Sequence, residues 1–394
     1  MLNELIDHNP DFIKLRQEGY AIEIRDGFLL MHEVPYVNSE CHINYGILVS
    51  DLGSISGNST MSPITQHVAY FIGEHPCNFD GTIISGIKNS SGDQPLAKDL
   101  VVNHTFSNKP ENGYIDYYDK MTSYATVITS QAKAIDDSVT EKPFMIIASE
   151  TQETIFNYPD TNSSKAKINM ISSKLEGQKL AIIGLGGTGS YLVDLIAKTP
   201  VKEIHLYDGD VFIQHNAFRS PGAPSFDELC LLNKKTDYFK KIYSNMRKNI
   251  HSHSYNITSI NIQELSDMDF VFICIDKGQI KKLIVDYLIS RDISFIDVGM
   301  GVEVVDDCLI GLIRVTASTT QKRDHIKVRI PFSDDGLPND YNSNIQIADL
   351  NALNAALAVI KWKKMYNFYQ DLNNDFNSTY SVNDGILINE DNIT

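Results

Sequence analysis

The sequence is short of positive charge. Its 34 Lys and Arg residues face 50 Asp and Glu, a formal net charge of −16 over 394 residues. Binding a phosphate backbone needs clustered cations. No basic run exceeds the short NKK and FKK pieces near 233–241, so no nucleic-acid partner is expected. Long apolar runs are also missing: nothing approaches the roughly 18 residues of a membrane-spanning helix. The first twenty residues carry charges throughout and lack an apolar signal core. The expectation is a soluble, cytoplasmic protein with no membrane partner. Cysteine is scarce. Cys41, Cys77, Cys230, Cys274 and Cys308 form no CxxC pair, which argues against a cysteine-based structural zinc site. Their odd number and scatter argue against a disulfide framework, and most are expected as small core residues. Internal repeats and low-complexity tracts are absent.

Apolar material is ample, at 42%, and the length suggests two domains or perhaps three. Residues 1–145 read as short strands between turns, with Asp26-Gly27 and Asp80-Gly81 as hairpin-like signals. This stretch is expected to be a strand-rich α+β domain, and it carries no recognisable catalytic motif. Residues 146–178 are polar, then helical in pattern: a linker and a lead-in helix. From Lys179 strands and helices alternate. KLAIIG, KEIHLYD, YNITSINI, DFVFICID, SFIDVGMG and LIGLIRVTAS read as strands. SYLVDLIAK, the long pattern FDELCLLNKKTDYFKKIYSNMRKNI, KGQIKKLIVDYLISR and residues 345–371 read as helices. That order predicts an α/β domain over 179–394 with a doubly wound, Rossmann-like sheet of parallel strands. The Ala- and Leu-rich helix at 345–371 suits burial or a subunit contact.

Gly184, Gly186 and Gly189 form GxGxxG between the first strand and helix. The first glycine suits a tight turn, the second a close approach to phosphate, the third helix–sheet packing. Backbone amides at the helix start then face an anion. Asp208 ends the next strand, where an acid can bind ribose hydroxyls. The turn alone fits a dinucleotide or ATP equally well. Asp210, Asn216 and Arg219 follow in LYDGDVFIQHNAFR. A dehydrogenase does not need that Asn and Arg, whereas a triphosphate does, because Arg offers a fixed fork of donors to phosphate oxygens.

At this point the sequence resembles the ThiF/MoeB family of adenylating enzymes, relatives of the ubiquitin-activating enzymes. That family shows GxGGxGS, then D-x-D with Asn eight and Arg eleven residues after the first Asp. Here the matching residues are Gly184, Gly186, Gly187, Gly189 and Ser190, then Asp208, Asp210, Asn216 and Arg219. The family's phosphate-binding Lys matches Lys235, with Lys234 as its neighbour, and its C-x-D strand end matches Cys274 and Asp276. The resemblance covers about residues 160–370. It implies ATP-dependent adenylation of a carboxylate, usually the C-terminal glycine of a ubiquitin-like protein, with release of pyrophosphate. It implies that Asp208 orients the ribose, that Asp276 holds Mg²⁺, and that Arg219 and Lys235 stabilise the transferring phosphate. A homodimer and a downstream conjugation partner are implied too.

Three departures stand out. The family's Asn after the metal-binding Asp is Lys277 here. The family's paired zinc-binding CxxC motifs are missing. The stretch before the final helix, where relatives carry a transfer thiol, offers Asp334, Asp335 and Asp340 and no Cys. A catalytic cysteine is therefore not evident. The Arg that a family partner lends from its lead-in helix has only Lys165 or Lys167 as substitutes. Plainer readings apply to several residues: Asp210 can simply cap its turn, Cys274 and Cys230 read as packing, and Cys77 in EHPC reads as a turn residue. Adenylation of a peptide or other acyl substrate is the nearest alternative. An NAD-binding oxidoreductase and a non-catalytic scaffold are the alternatives of another class.

Overall fold

The fold is taken from a computed structural model that describes residues 6, 9–53, 55–56, 59–60, 64, 66–145, 147, 155–158, 160–166, 168–332 and 345–393. Two compact units divide the chain, Met1–Ser173 and Lys174–Thr394. Among the described residues, no helix is long and apolar enough to cross a membrane.

The first unit is built on an antiparallel sheet. Its strands are β1 (Ala21–Arg25), β2 (Phe28–Val37), β3 (Ile43–Asp51), β4 (Val68–Ile72), β5 (Lys88–Ala97) and β6 (Leu100–Ser107), in the order β1-β2-β3-β4-β6-β5. Asp26 and Gly27 both take positive φ, 51° and 78°, as a two-residue hairpin loop requires. Arg25 accordingly pairs with Phe28. The run Phe28-Leu29-Leu30-Met31 is buried throughout because both sheet faces are covered. Leu29 and Met31 join the cluster under helix α1 (Tyr117–Lys133), and Phe28 and Leu30 join the opposite one. Helix α1 starts at Asp116, whose carboxylate accepts from Asp119 N–H at 2.7 Å. Its apolar stripe is Met121, Tyr124, Ala125 and Ile128. The expected strand-rich α+β unit is the one observed.

The second unit has a mixed sheet. Its strands are β7 (Lys179–Ile183), β8 (Glu203–Tyr207), β9 (Ile250–His253), β10 (Phe270–Ile273), β11 (Ser294–Val305), β12 (Cys308–Ser318), β13 (Asn377–Ser381) and β14 (Ile386–Glu390). They lie in the order β9-β8-β7-β10-β11-β12-β13-β14. The part from β9 to β11 is parallel and doubly wound, as expected. Beyond β11 the sheet is antiparallel. There Asp306 and Asp307, both at positive φ, close a tight hairpin. On β7, Leu180 and Ile182 face helices α2 (Gly187–Ala197) and α5 (Ala348–Met365), while Ala181 and Ile183 face helix α4 (Gly278–Ser290). Strand order reverses between β7 and β10, which places a crevice at their carboxyl ends.

Two expectations fail in this unit. The long helical pattern from 226 breaks into Phe226–Cys230 and helix α3 (Lys235–Tyr243), because Leu232 takes φ +47° and Lys234 is extended. The strand expected at YNITSINI lies earlier, at β9, and Ile262–Asp267 is a 3₁₀ turn instead. The thiols also differ from expectation: Cys41, Cys230 and Cys308 are exposed, since each sits in a turn, a short helix or a hairpin arm rather than in a core.

Candidate nucleotide site

Strand β7 ends at Ile183, and the chain turns through Gly184 to enter α2 at Gly187. Gly184 has φ +90°, and a Cβ there would lie 2.6 Å from Cys274 O and 2.8 Å from Ile275 Cγ2. Conformation and packing both demand glycine. A Cβ on Gly189 would overlap Gly184 O, and one on Gly187 would overlap the Asn351 side chain. Gly186 differs: a Cβ there would meet nothing nearer than Gln346 Oε1, at 3.9 Å. Among the described residues nothing else fills the space before Gly186, at the N-terminus of an eleven-residue helix. Ser190 is fully buried, and its hydroxyl donates to Gly187 O at 2.6 Å within its own helix turn.

Asp208 links this turn to the next. It is buried, accepting from Leu185 N–H at 2.7 Å through Oδ2 and from Asp210 N–H at 2.8 Å through Oδ1. Lys235, the first residue of α3, brings its Nζ to 2.8 Å from Asp210 Oδ2 and 3.5 Å from Asp208 Oδ2. The Lys235 hydrogen bond holds the Asp210 carboxyl below the usual range against slight burial, and Lys277 and Lys234 add positive charge nearby. Lys234 turns elsewhere, donating to Gly209 O at 2.6 Å. The adjacent lysines diverge because Lys234 is extended and Lys235 is helical.

Asn216 is buried, and its Oδ1 accepts from Ile213 N–H at 2.9 Å, closing the helical turn that leads to Arg219. Arg219 is half-buried. Its Nε is buried with no hydrogen-bond partner among the described residues. Burial lowers the guanidinium pKa, and the negative charge of Asp276 opposes that shift. Asp276 is exposed just beyond β10, at the crevice. The pKa of His215 is lowered by burial and by the charges of Arg219 and Lys235. The structure thus brings Leu185 of the glycine turn, Asp208, Asp210 and Lys235 into one bonded group, with Arg219 and Asp276 electrostatically coupled beside them. Asn216 and Ser190 are tied into backbone hydrogen bonds.

Sequence reading missed the contribution of the last helix. Gln346 Oε1 accepts from Gly187 N–H at 3.2 Å. Asn351, fully buried, accepts from Thr188 Oγ1 at 3.0 Å and donates to Arg219 O at 3.5 Å. The available signal was a pair of Asn residues, Asn351 and Asn354, within an Ala- and Leu-rich helix, because buried amides must find partners. Below the crevice, fully buried Asp297 holds Lys281 Nζ at 2.9 Å and Arg314 Nη2 at 2.6 Å. Burial, then Asp297, raises the Cys274 thiol far above its ordinary range, so it is inert packing. The side chains of Lys165 and Lys167, and the stretch with Asp334, Asp335 and Asp340, lie outside the described residues.

The ThiF family model matches residues 164–304. Residues 164–304 are a ThiF family domain. A domain of unknown function, DUF6791, matches residues 10–161. Among solved structures, the chain is similar to E. coli MccB with ATP, at 18% identity and TM-score 0.44, covering 59% of this chain and 69% of that one. MccB in complex with N-formylated MccA gives 17% identity and TM-score 0.45, covering 59% and 70%. PaaA gives 17% and 0.43, covering 57% and 76%. No curated protein matches the chain in sequence.

Proposed function

We propose that the ThiF domain adenylates the C-terminal carboxylate of a ubiquitin-like protein, consuming ATP and releasing pyrophosphate. A peptide or other acyl group is the alternative substrate. The observation that carries this reading is the buried Arg219 Nε with no hydrogen-bond partner among the described residues, on a residue whose backbone carbonyl Asn351 ties to Thr188 of the glycine turn. A carboxylate attacking a polyphosphate brings like charges together. Arg219 and Lys235 would offset them where charge builds on the leaving pyrophosphate. Gly186, Gly187 and the start of α2 would receive phosphate, and Asp208 the ribose. Asp210 would keep Lys235 aimed at the crevice. Asp276 is the residue suited to Mg²⁺, which would supply further neutralising charge.

Cys41, Cys230 and Cys308 are not among the residues bonded in the crevice cluster, and burial keeps the Cys274 thiol protonated. The acyl-adenylate would therefore pass onward without a thioester on this chain. The first unit, whose sequence carries no recognised catalytic motif, would recruit the protein substrate or a downstream conjugation partner. The test is nucleotide binding followed by ATP–pyrophosphate exchange with candidate small proteins. ATP with Mg²⁺ is expected to bind, and substrate is expected to drive exchange. On a non-reducing gel, no thiol-labile adduct is expected. Tight NAD binding without ATP binding would overturn the reading.

A further inference from the structure

A second chemical cluster lies on the edge of the same sheet. Period-two alternation sends Glu203, His205 and Tyr207 of β8 to one face, and His251 and His253 of β9 to that same face. His205 is in register with His251, and their rings stack at 4.6 Å. One ligand atom from each of Glu203, His205 and His251 falls within 4.8 Å of the other two.

The hydrogen bonds around this cluster fix where its lone pairs point. Tyr255 O–H donates to Glu264 Oε2 at 2.8 Å, so its oxygen can only accept from His253 Nδ1, 3.0 Å away. Neutral His253 then presents an acceptor at Nε2, and His205 Nδ1 donates to it at 3.1 Å. That leaves the lone pair of His205 Nε2 facing Glu203 Oε2, also an acceptor, at 3.2 Å. Two acceptors that close call for a cation between them.

We propose that Glu203, His205 and His251 bind a divalent transition-metal ion of the zinc class, clasping β8 to the edge strand β9. Two imidazoles and one carboxylate suit zinc, with water in the fourth position. Mg²⁺ prefers oxygen ligands, which separates this site from Asp276. The separation of His205 Nε2 and Glu203 Oε2 already matches two ligands of one tetrahedral ion, about 3.4 Å apart. His251 is exposed and can swing in. The relay through His253, Tyr255 and Glu264 is the outer support that holds a ligating imidazole in one tautomer. The site does not depend on the nucleotide reading.

The test uses the full chain, stripped with a chelator and titrated with Zn²⁺ alone. One equivalent is expected to bind and to raise the thermal midpoint, and Co²⁺ in its place should give a tetrahedral visible spectrum. His251→Ala and Glu203→Gln should each weaken Zn²⁺ at least tenfold, while Asp276→Asn binds it like the parent. Tyr255→Phe, a change to a positioning residue, should weaken it less and shift the pH dependence of binding. His251→Ala alters an exposed side chain, and its metal-free melting curve checks folding. Absence of micromolar Zn²⁺ binding, or unchanged affinity in both His251→Ala and Glu203→Gln, would overturn the proposal.

Discussion

Arg219 and Lys235 reach the crevice by different routes. Arg219 arrives half-buried at the end of a helical turn closed by Asn216, and Lys235 is held by two carboxylates. Removing either should cut adenylation by on the order of 100-fold or more, as loss of a preorganised charge does elsewhere. The expectation extends to Arg219→Ala, Lys235→Ala and Asp276→Ala in ATP–pyrophosphate exchange. Lys234→Ala should have a mild effect, since its ammonium serves Gly209 O; a larger loss at Lys234 than at Lys235 would reverse the assignment. In the first unit, Lys120 is fully buried, with Nζ 2.8 Å from Ser50 Oγ. Burial pushes its pKa from the ordinary 10.5 down to about 8, against the charge of Asp51. The unfolded chain thus binds the Lys120 proton more tightly than the folded one. This group's contribution makes stability rise with pH between about 8 and 10.5 and leaves it flat below. Denaturant unfolding across that range should show the slope in the parent and lose it in Lys120→Met.

At the scale of elements, the glycine turn separates two roles that one motif conflates. Gly189 is a packing glycine, because any Cβ meets Gly184 O. A Cβ on Gly186 meets no described atom nearer than Gln346 Oε1, at 3.9 Å. Gly189→Ala should lower the thermal midpoint markedly. Gly186→Ala should leave it within a degree or two and still cost tenfold or more in ATP affinity, because only a bound phosphate competes for that volume. Calorimetry on both variants checks this, and equal destabilisation would remove Gly186 from the site. Helix α5 completes the turn from far along the chain. Its buried Ala355, Ala358, Val359 and Trp362 pack it onto the sheet, and its Asn351 reaches Thr188.

At the scale of the whole molecule, the exposed surface bears on assembly. The apolar stripe of α5 is consumed within the chain, so it no longer argues for a subunit contact. The antiparallel extension does expose apolar side chains, with Val304 at 64% exposure, Leu312 at 52% and Ile388 at 51%. Apolar surface of that kind favours association. A homodimer is the expectation that the family resemblance raised, and sedimentation at micromolar concentration checks it. A monomer would count against it, and would remove any role for a partner's Lys165 or Lys167.

The sequence by itself determined what is local. Alternation and 3.6-residue periodicity marked β7, α2, β8, β10, α4 and α5, and the Gly-x-Gly turn with Asp208 and Asp210 marked the crevice. Each of these signals comes from neighbours in the chain and needs no partner to be read. Tertiary structure decided what depends on approach between distant segments. The break after Cys230 leaves Lys234 extended and Lys235 helical, a matter of backbone conformation that helical periodicity does not reveal. The antiparallel extension after β11 follows from which strand edge remained open. Asn351 on Thr188, and His205 beside His251, arise only when segments 40 or more residues apart pack together. A residue's type is written in the sequence; which lone pair or amide it will face is set by packing.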